Sequence, residues 1–193
     1  MTRICVFCGS SPGADPRFVE AARRLGSVLA ARGLGLVYGG AGVGLMGALA
    51  DAVRGQGGQV IGVIPRALAR KELAHTGLSE LRLVESMHER KAVMAELADG
   101  FLALPGGMGT LEELCEALTW LQLGIHTKPV GLLNVAGYFD RFLEFLDHAV
   151  AERLLKPQHR ALALVEQEPG ALLDRLAHWR PVRVEKWLDR EQA

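Results

Sequence analysis

Two short stretches carry most of the chemistry legible in this 193-residue chain. One is Pro105-Gly106-Gly107-Met108-Gly109-Thr110-Leu111-Glu112-Glu113. Successive glycines let backbone amides converge without a Cβ in the way, and Thr110 adds a hydroxyl where a helix is expected to start. Such a segment suits a phosphate held by amides and the helix dipole. No Lys-Ser or Lys-Thr follows, which sets it apart from loops that hydrolyse nucleoside triphosphates with magnesium. Glu112 and Glu113 are expected in the first helical turn, where they either complement the dipole or, beside a bound phosphate, require an intervening cation. The other stretch, Met87-His88-Glu89-Arg90-Lys91-Ala92-Val93-Met94, supplies cations. Met87, Met94, Leu97 and Ala98 form the apolar stripe of its helical wheel, and Arg90 and Lys91 fall within the borders of that stripe. Solvated charges normally take the opposite face. These two are therefore expected to turn inward toward a ligand, the alternative being that their long stems snorkel out from the stripe's edge.

A further glycine-rich loop, Gly39-Gly40-Ala41-Gly42-Val43-Gly44-Leu45-Met46-Gly47, contains G-x-G-x-x-G at Gly42, Gly44 and Gly47. A dinucleotide fingerprint also needs an acidic residue about 20 positions on, at the end of the next strand. That strand ends in Val63-Ile64-Pro65-Arg66, with no carboxylate. The loop is read instead as approaching some other nucleotide closely, with Gly42 and Gly44 among its contacts; tight helix packing is the competing explanation. Gly9-Ser10-Ser11-Pro12-Gly13, earlier in the chain, is equally an anion loop or a plain strand-to-helix turn. Cys5 and Cys8 spell C-x-x-C, but within a run that reads as a strand, so they point to opposite faces and serve as small buried hydrophobes. The six histidines show no ligand spacing, and neither a metal nor a cofactor is expected.

The elements that must position these residues alternate. Apolar runs at 4–8, 34–38, 60–64, 81–84, 101–104, 130–133 and 162–165 suit strands buried on both faces. Helical spacing occupies 17–31, 45–54, 87–98, 111–123, 138–150 and 171–179. The pattern predicts an α/β fold, a doubly wound parallel sheet with helices on both faces, in a single domain over 1–193 whose tail is variable from about 180. Ligands in that plan bind beyond the carboxyl ends of the strands, where all the glycine loops fall. The 22 basic and 22 acidic side chains cancel, which speaks against a nucleic-acid binder or a polybasic membrane module. The uncharged stretch 33–50 resembles a membrane span in length only, since seven glycines interrupt it. Three cysteines, an odd count without a secretory segment, fit a reducing cytoplasm. The helix at 111–123 carries more apolar surface than one sheet covers, which suggests a subunit interface.

Met87-His88-Glu89-Arg90-Lys91, followed by Pro105-Gly-Gly-x-Gly-Thr-x-x-Glu113, resembles the Lonely Guy (LOG) family of cytokinin riboside 5′-monophosphate phosphoribohydrolases. The resemblance runs from Ile4 to about Leu155. It implies a Rossmann-like fold and a homodimer with active sites near the subunit interface. The implied reaction is hydrolysis of the N-glycosidic bond of a nucleoside 5′-monophosphate to free base and ribose 5-phosphate. It puts the catalytic pair on Arg90 and Glu113, and substrate contacts on Glu72, Lys91, Gly107, Met108, Gly109, Thr110, Leu111, Glu112 and Thr119, to which the loop reading adds Gly106. Residue chemistry alone does not choose between Glu112 and Glu113; the register of the motif favours Glu113. Members of the family have been labelled lysine decarboxylases, for which a pyridoxal-phosphate enzyme would need a larger scaffold around its Schiff-base lysine. The rival class is a nucleotide or cofactor carrier on the same fold, which would have no reason to combine Arg90 and Glu113 with the loop.

Overall fold

The computed structural model of the chain describes residues 1–69 and 74–181. The sequence expectation of a tail beginning near 180 falls largely on 182–193, outside the described residues. In chain order the elements are β1 (Arg3–Phe7), α1 (Pro16–Ala31), β2 (Gly35–Tyr38), α2 (Gly44–Gly55), β3 (Val60–Pro65), α3 (Arg66–Ala69), β4 (Glu80–Val84), α4 (Met87–Leu97) and β5 (Gly100–Ala103). They continue with α5 (Met108–Leu123), β6 (Val130–Leu133), a 3₁₀ turn at Val135–Gly137, α6 (Asp140–Ala151), α7 (Pro157–Arg160), β7 (Ala163–Glu166) and α8 (Pro169–His178). The strands form one sheet in the order β4-β3-β2-β1-β5-β6-β7, and every pairing is parallel. This is the α/β, Rossmann-like, doubly wound plan expected from the alternating pattern.

Alternation along β1 shows how the sheet builds two cores. Ile4, Val6 and Cys8 enter the layer formed with α1, α2 and α8, where Leu25, Leu29, Leu49, Leu172 and Leu173 are fully buried. Cys5 and Phe7 enter the opposite layer, with Met94 of α4 and Leu114 and Leu121 of α5. The two cysteines thus lie on opposite faces, both buried and both free. No helix among the described residues is long and apolar enough to cross a membrane.

The chain winds outward from β1 through β2, β3 and β4, then returns to lay β5 on the other side of β1. Because the direction of winding reverses there, the loops after β1 and β5 leave in opposite directions and open a crevice between them. They remain joined at its base, where Gly9 N donates to Pro105 O at 3.0 Å.

Two differences from the sequence expectation matter. Helix α5 starts at Met108, three residues before the expected 111, because the glycine loop itself supplies the first turn. Glu112 and Glu113 accordingly sit in the second turn, not the first. Helix α6 starts at Asp140 because a tight turn precedes it, with Ala136 at φ 53° and Gly137 at φ 74°. Asn134 braces that turn: its Oδ1 accepts from Phe139 N at 2.8 Å and its Nδ2 donates to Asp140 Oδ1 at 2.7 Å. A left-handed alanine is unfavourable by roughly 1–2 kcal/mol. Ala136→Gly is therefore expected to stabilise the fold, by about 1 kcal/mol after the extra entropy of the unfolded glycine is counted, measured as a higher urea midpoint at unchanged m.

Candidate active site

Arg90 is only 8% exposed although it carries a full charge. Its placement starts at the beginning of α4, where Ser86 accepts from Glu89 N at 3.1 Å and the Glu89 carboxylate folds back onto Glu85 N at 2.7 Å. This relative of the capping box fixes the helical register and so turns Arg90 toward the sheet. There the guanidinium lies against Gly39, just past the end of β2, where a Cβ would stand 2.1 Å from Nη2. Nη2 is 3.6 Å from Glu113 Oε1, beyond hydrogen-bond reach, and Nη1 has, among the described residues, only the Met87 sulfur at 3.7 Å. Nε is buried with no partner among the described residues. A buried cation is costly unless its donors are satisfied. Among the described residues, Arg90 thus keeps donors that no acceptor satisfies.

Glu113 faces Arg90 from α5, with its side chain 11% exposed. It borders a small recess whose other walls include Phe7, Met94, Phe101 and Trp120. Burial pushes its carboxyl above the usual range, Arg90 opposes that shift, and Glu112 adds to it. Lys91 takes different partners. Its ammonium reaches Glu112 at 2.5 Å and Glu116 at 2.9 Å. Partial burial lowers its pKa, but the two hydrogen bonds outweigh burial and hold it above the ordinary value. Both cations thus turn inward, as the helical wheel anticipates, and there they divide the carboxylates of α5 between them. Glu112 is half exposed and paired; Glu113 is buried and incompletely paired.

The glycine loop after β5 is held just as closely. A Cβ on Gly106 would meet Thr110 Oγ1 at 2.1 Å and Gly9 N at 2.8 Å, so only glycine allows Thr110, 5% exposed, to tuck beneath the loop. Gly107 caps α5 without any side-chain bond, and the first helical bond runs from Leu111 N to Gly107 O. The amides of Met108, Gly109 and Thr110 precede that bond and have no helical acceptor. Alongside lies an open cavity of about 310 Å³, walled by residues 9–13, Phe18, Leu45, residues 105–107 and Tyr138.

The other two loops lead to helices whose ends are already engaged. Asp15 accepts from Arg17 N at 2.9 Å and closes α1. Gly9 O takes the amides of Leu45 and Met46 at the start of α2, at 3.0 and 3.3 Å. Gly44 there has φ 60°, and a Cβ would fall 2.3 Å from the Ser10 carbonyl carbon, so this glycine lets the two loops pack. Gly42 remains exposed beside them.

Among the remaining sequence candidates, Met108 and Gly109 are exposed at the mouth of the loop and Leu111 is half-buried behind it. Thr119 continues the stripe of Glu112 and Glu116 along α5; it is exposed and its hydroxyl donates to Cys115 O at 2.7 Å. Glu72 lies outside the described residues. Among the described residues Ala74 bridges Ala41, and His75 N donates to Gly40 O at 3.0 Å, beside the turn that backs Arg90. Sequence reasoning missed Gly39 as the seat of Arg90 and Tyr138 as a cavity wall. A double glycine directly after a strand is a signal for the first; nothing local marks the second.

A family model described as possible lysine decarboxylase matches residues 46–176. A probable cytokinin riboside 5′-monophosphate phosphoribohydrolase of Oryza sativa subsp. japonica is 53% identical over 180 residues, covering 93% of this chain and 79% of that protein. A cytokinin riboside 5′-monophosphate phosphoribohydrolase of Arabidopsis thaliana is 50% identical over 179 residues, covering 93% and 82%. The solved molybdenum cofactor carrier protein of Chlamydomonas reinhardtii superposes with a TM-score of 0.68 at 21% identity, over 91% of this chain and 98% of that one, a likeness of fold alone. With the motif residues intact and half of all positions identical along most of its length, the chain belongs to the LOG family, the cytokinin riboside 5′-monophosphate phosphoribohydrolases.

Proposed function

We propose that the protein hydrolyses the N-glycosidic bond of a nucleoside 5′-monophosphate, a cytokinin riboside 5′-monophosphate or an AMP-like nucleotide, to free base and ribose 5-phosphate. One observation carries the reading: a buried guanidinium with idle donors faces a buried, incompletely paired carboxylate on the helix whose N-terminal amides are open. The named activity of relatives at about half identity favours a hydrolase over a carrier on the same fold.

The roles follow from charge. Cleavage passes through an oxocarbenium-like state with positive charge on the ribose. Glu113, ionised, stabilises that charge and orients or deprotonates the attacking water. Arg90 binds the substrate with its unused donors and favours the charged form of Glu113. The amides of Gly107 to Thr110 hold the 5′-phosphate, so binding energy remote from the bond positions the ribose. Lys91 is kept charged by Glu112 and Glu116 at the rim.

A panel of nucleoside 5′-monophosphates assayed for free base tests the reading, and release from none of them would return the protein to the carrier class. Glu113→Gln is expected to lower kcat by roughly 10²–10³. Glu112→Gln, which breaks a pair at the rim, should cost far less; the reverse order would reassign the carboxylate. The pH profile carries a second expectation. Since ionised Glu113 is the active form and its pKa is raised above 4.5, kcat/KM should fall with acidification at a higher pH than an ordinary glutamate would give. Arg90→Gln removes the opposing cation and should move that acid limb of the residual activity higher still.

The assembly is proposed as a homodimer. Leu81, Leu83 and Met87 are 38%, 43% and 41% exposed, and Leu123 and Ile125 at the end of α5 are 42% and 64% exposed. A second copy would cover such surface. Light scattering should return twice the chain mass of 20.8 kDa, and a monomer would refute the assembly.

A further inference from the structure

We infer that Tyr138 is a positioning residue for the phosphate-holding loop, an assignment that rests on the proposed reading of residues 105–110. Its hydroxyl donates to Gly106 O at 2.5 Å, across 32 positions of sequence. The ring stands edge-on to Phe139 at 5.1 Å and to Phe18 of α1 at 5.4 Å, and it forms a wall of the 310 Å³ cavity. Behind it lies the turn braced by Asn134, with consecutive left-handed residues at Ala136 and Gly137. An aromatic side chain is thus carried on a hydrogen-bonded turn from one strand's exit to the loop after the neighbouring strand.

What the hydroxyl does there follows from peptide geometry. In a trans peptide the C=O and N–H point in opposite directions. The peptide joining Gly106 to Gly107 has glycine on both sides, so little steric resistance opposes its rotation. Rotation would turn a carbonyl oxygen where an amide is needed, and a carbonyl repels a phosphate. Thr110 and Gly9 crowd the α-carbon of Gly106 without bonding its carbonyl. The Tyr138 hydroxyl holds the Gly106 carbonyl, and in doing so it fixes the direction of the Gly107 amide at the cap of α5. The two glycines permit the cradle's shape; the phenol selects one orientation of it.

Tyr138→Phe keeps the ring and its packing and removes only the donor. The expected result is a rise of about tenfold in KM for the nucleoside 5′-monophosphate, with a smaller fall in kcat as the phosphate's hold on the ribose loosens. Ribose 5-phosphate bound in a calorimeter, without any reaction, should show the same tenfold loss of affinity. Unchanged affinity for ribose 5-phosphate, or an unchanged KM with a fall in kcat, would overturn the assignment. A markedly lower melting temperature would make Tyr138 a structural residue and overturn it too. Failure of the wild-type protein to release base from any nucleotide would refute the hydrolase reading instead, and the calorimetric comparison would still decide for Tyr138.

Discussion

A guanidinium buried at 8% exposure, with its nearest carboxylate 3.6 Å away, is the constraint around which this molecule is arranged. A buried charge in that position is unfavourable unless acceptors satisfy its donors. The surroundings exist to hold it there. Ser86 and Glu89 set the register of α4, Gly39 gives up its side chain to make room, and Glu113 keeps its distance on α5. The stability forgone at Arg90 is returned by the two apolar layers beneath it, which span both faces of a seven-stranded sheet.

The anion site and the carboxylate are separated along one helix. Helix α5 offers its open amides at Met108 to Thr110 and carries Glu113 a turn later. A phosphate and a carboxylate would repel each other within the first turn; a further turn and an intervening guanidinium lessen that conflict. The same arrangement accounts for the absence of net charge. On the proposed reading, a small anion would be held by local dipoles and one or two cations, with no need of a basic field over the rest of the surface. Below the site, burial and then Glu113 push the thiols of Cys5 and Cys8 well above their ordinary range, so they stay protonated and act as apolar filling.

The three glycine loops look alike in composition and do different work. Gly44 lets the loop before α2 press onto Ser10, and its helix gives its first amides to Gly9 O. The loop after β1 ends in Asp15, which closes α1. The loop after β5 leaves its helix unclosed. An acceptor from the chain itself occupies two of the three helix starts, and among the described residues the third has none.

Much of this was legible in the sequence. Apolar runs and helical spacing determined the strands and the doubly wound plan, because periodicity reports which face of an element is buried. The place of Arg90 and Lys91 within an apolar stripe likewise announced that both turn inward. Only the tertiary structure decided how those charges are shared, with Lys91 going to Glu112 and Glu116 and Arg90 left facing Glu113. It also decided that α5 begins at Met108, and that Gly9 O fills the start of α2. Tyr138 reaching Gly106 belongs with these. Periodicity is a property of one element at a time, whereas the pairing of polar groups depends on distances between elements far apart in the chain. Sequence could show that the donors and acceptors face inward; folding settled which of them satisfy one another and which, among the described residues, do not.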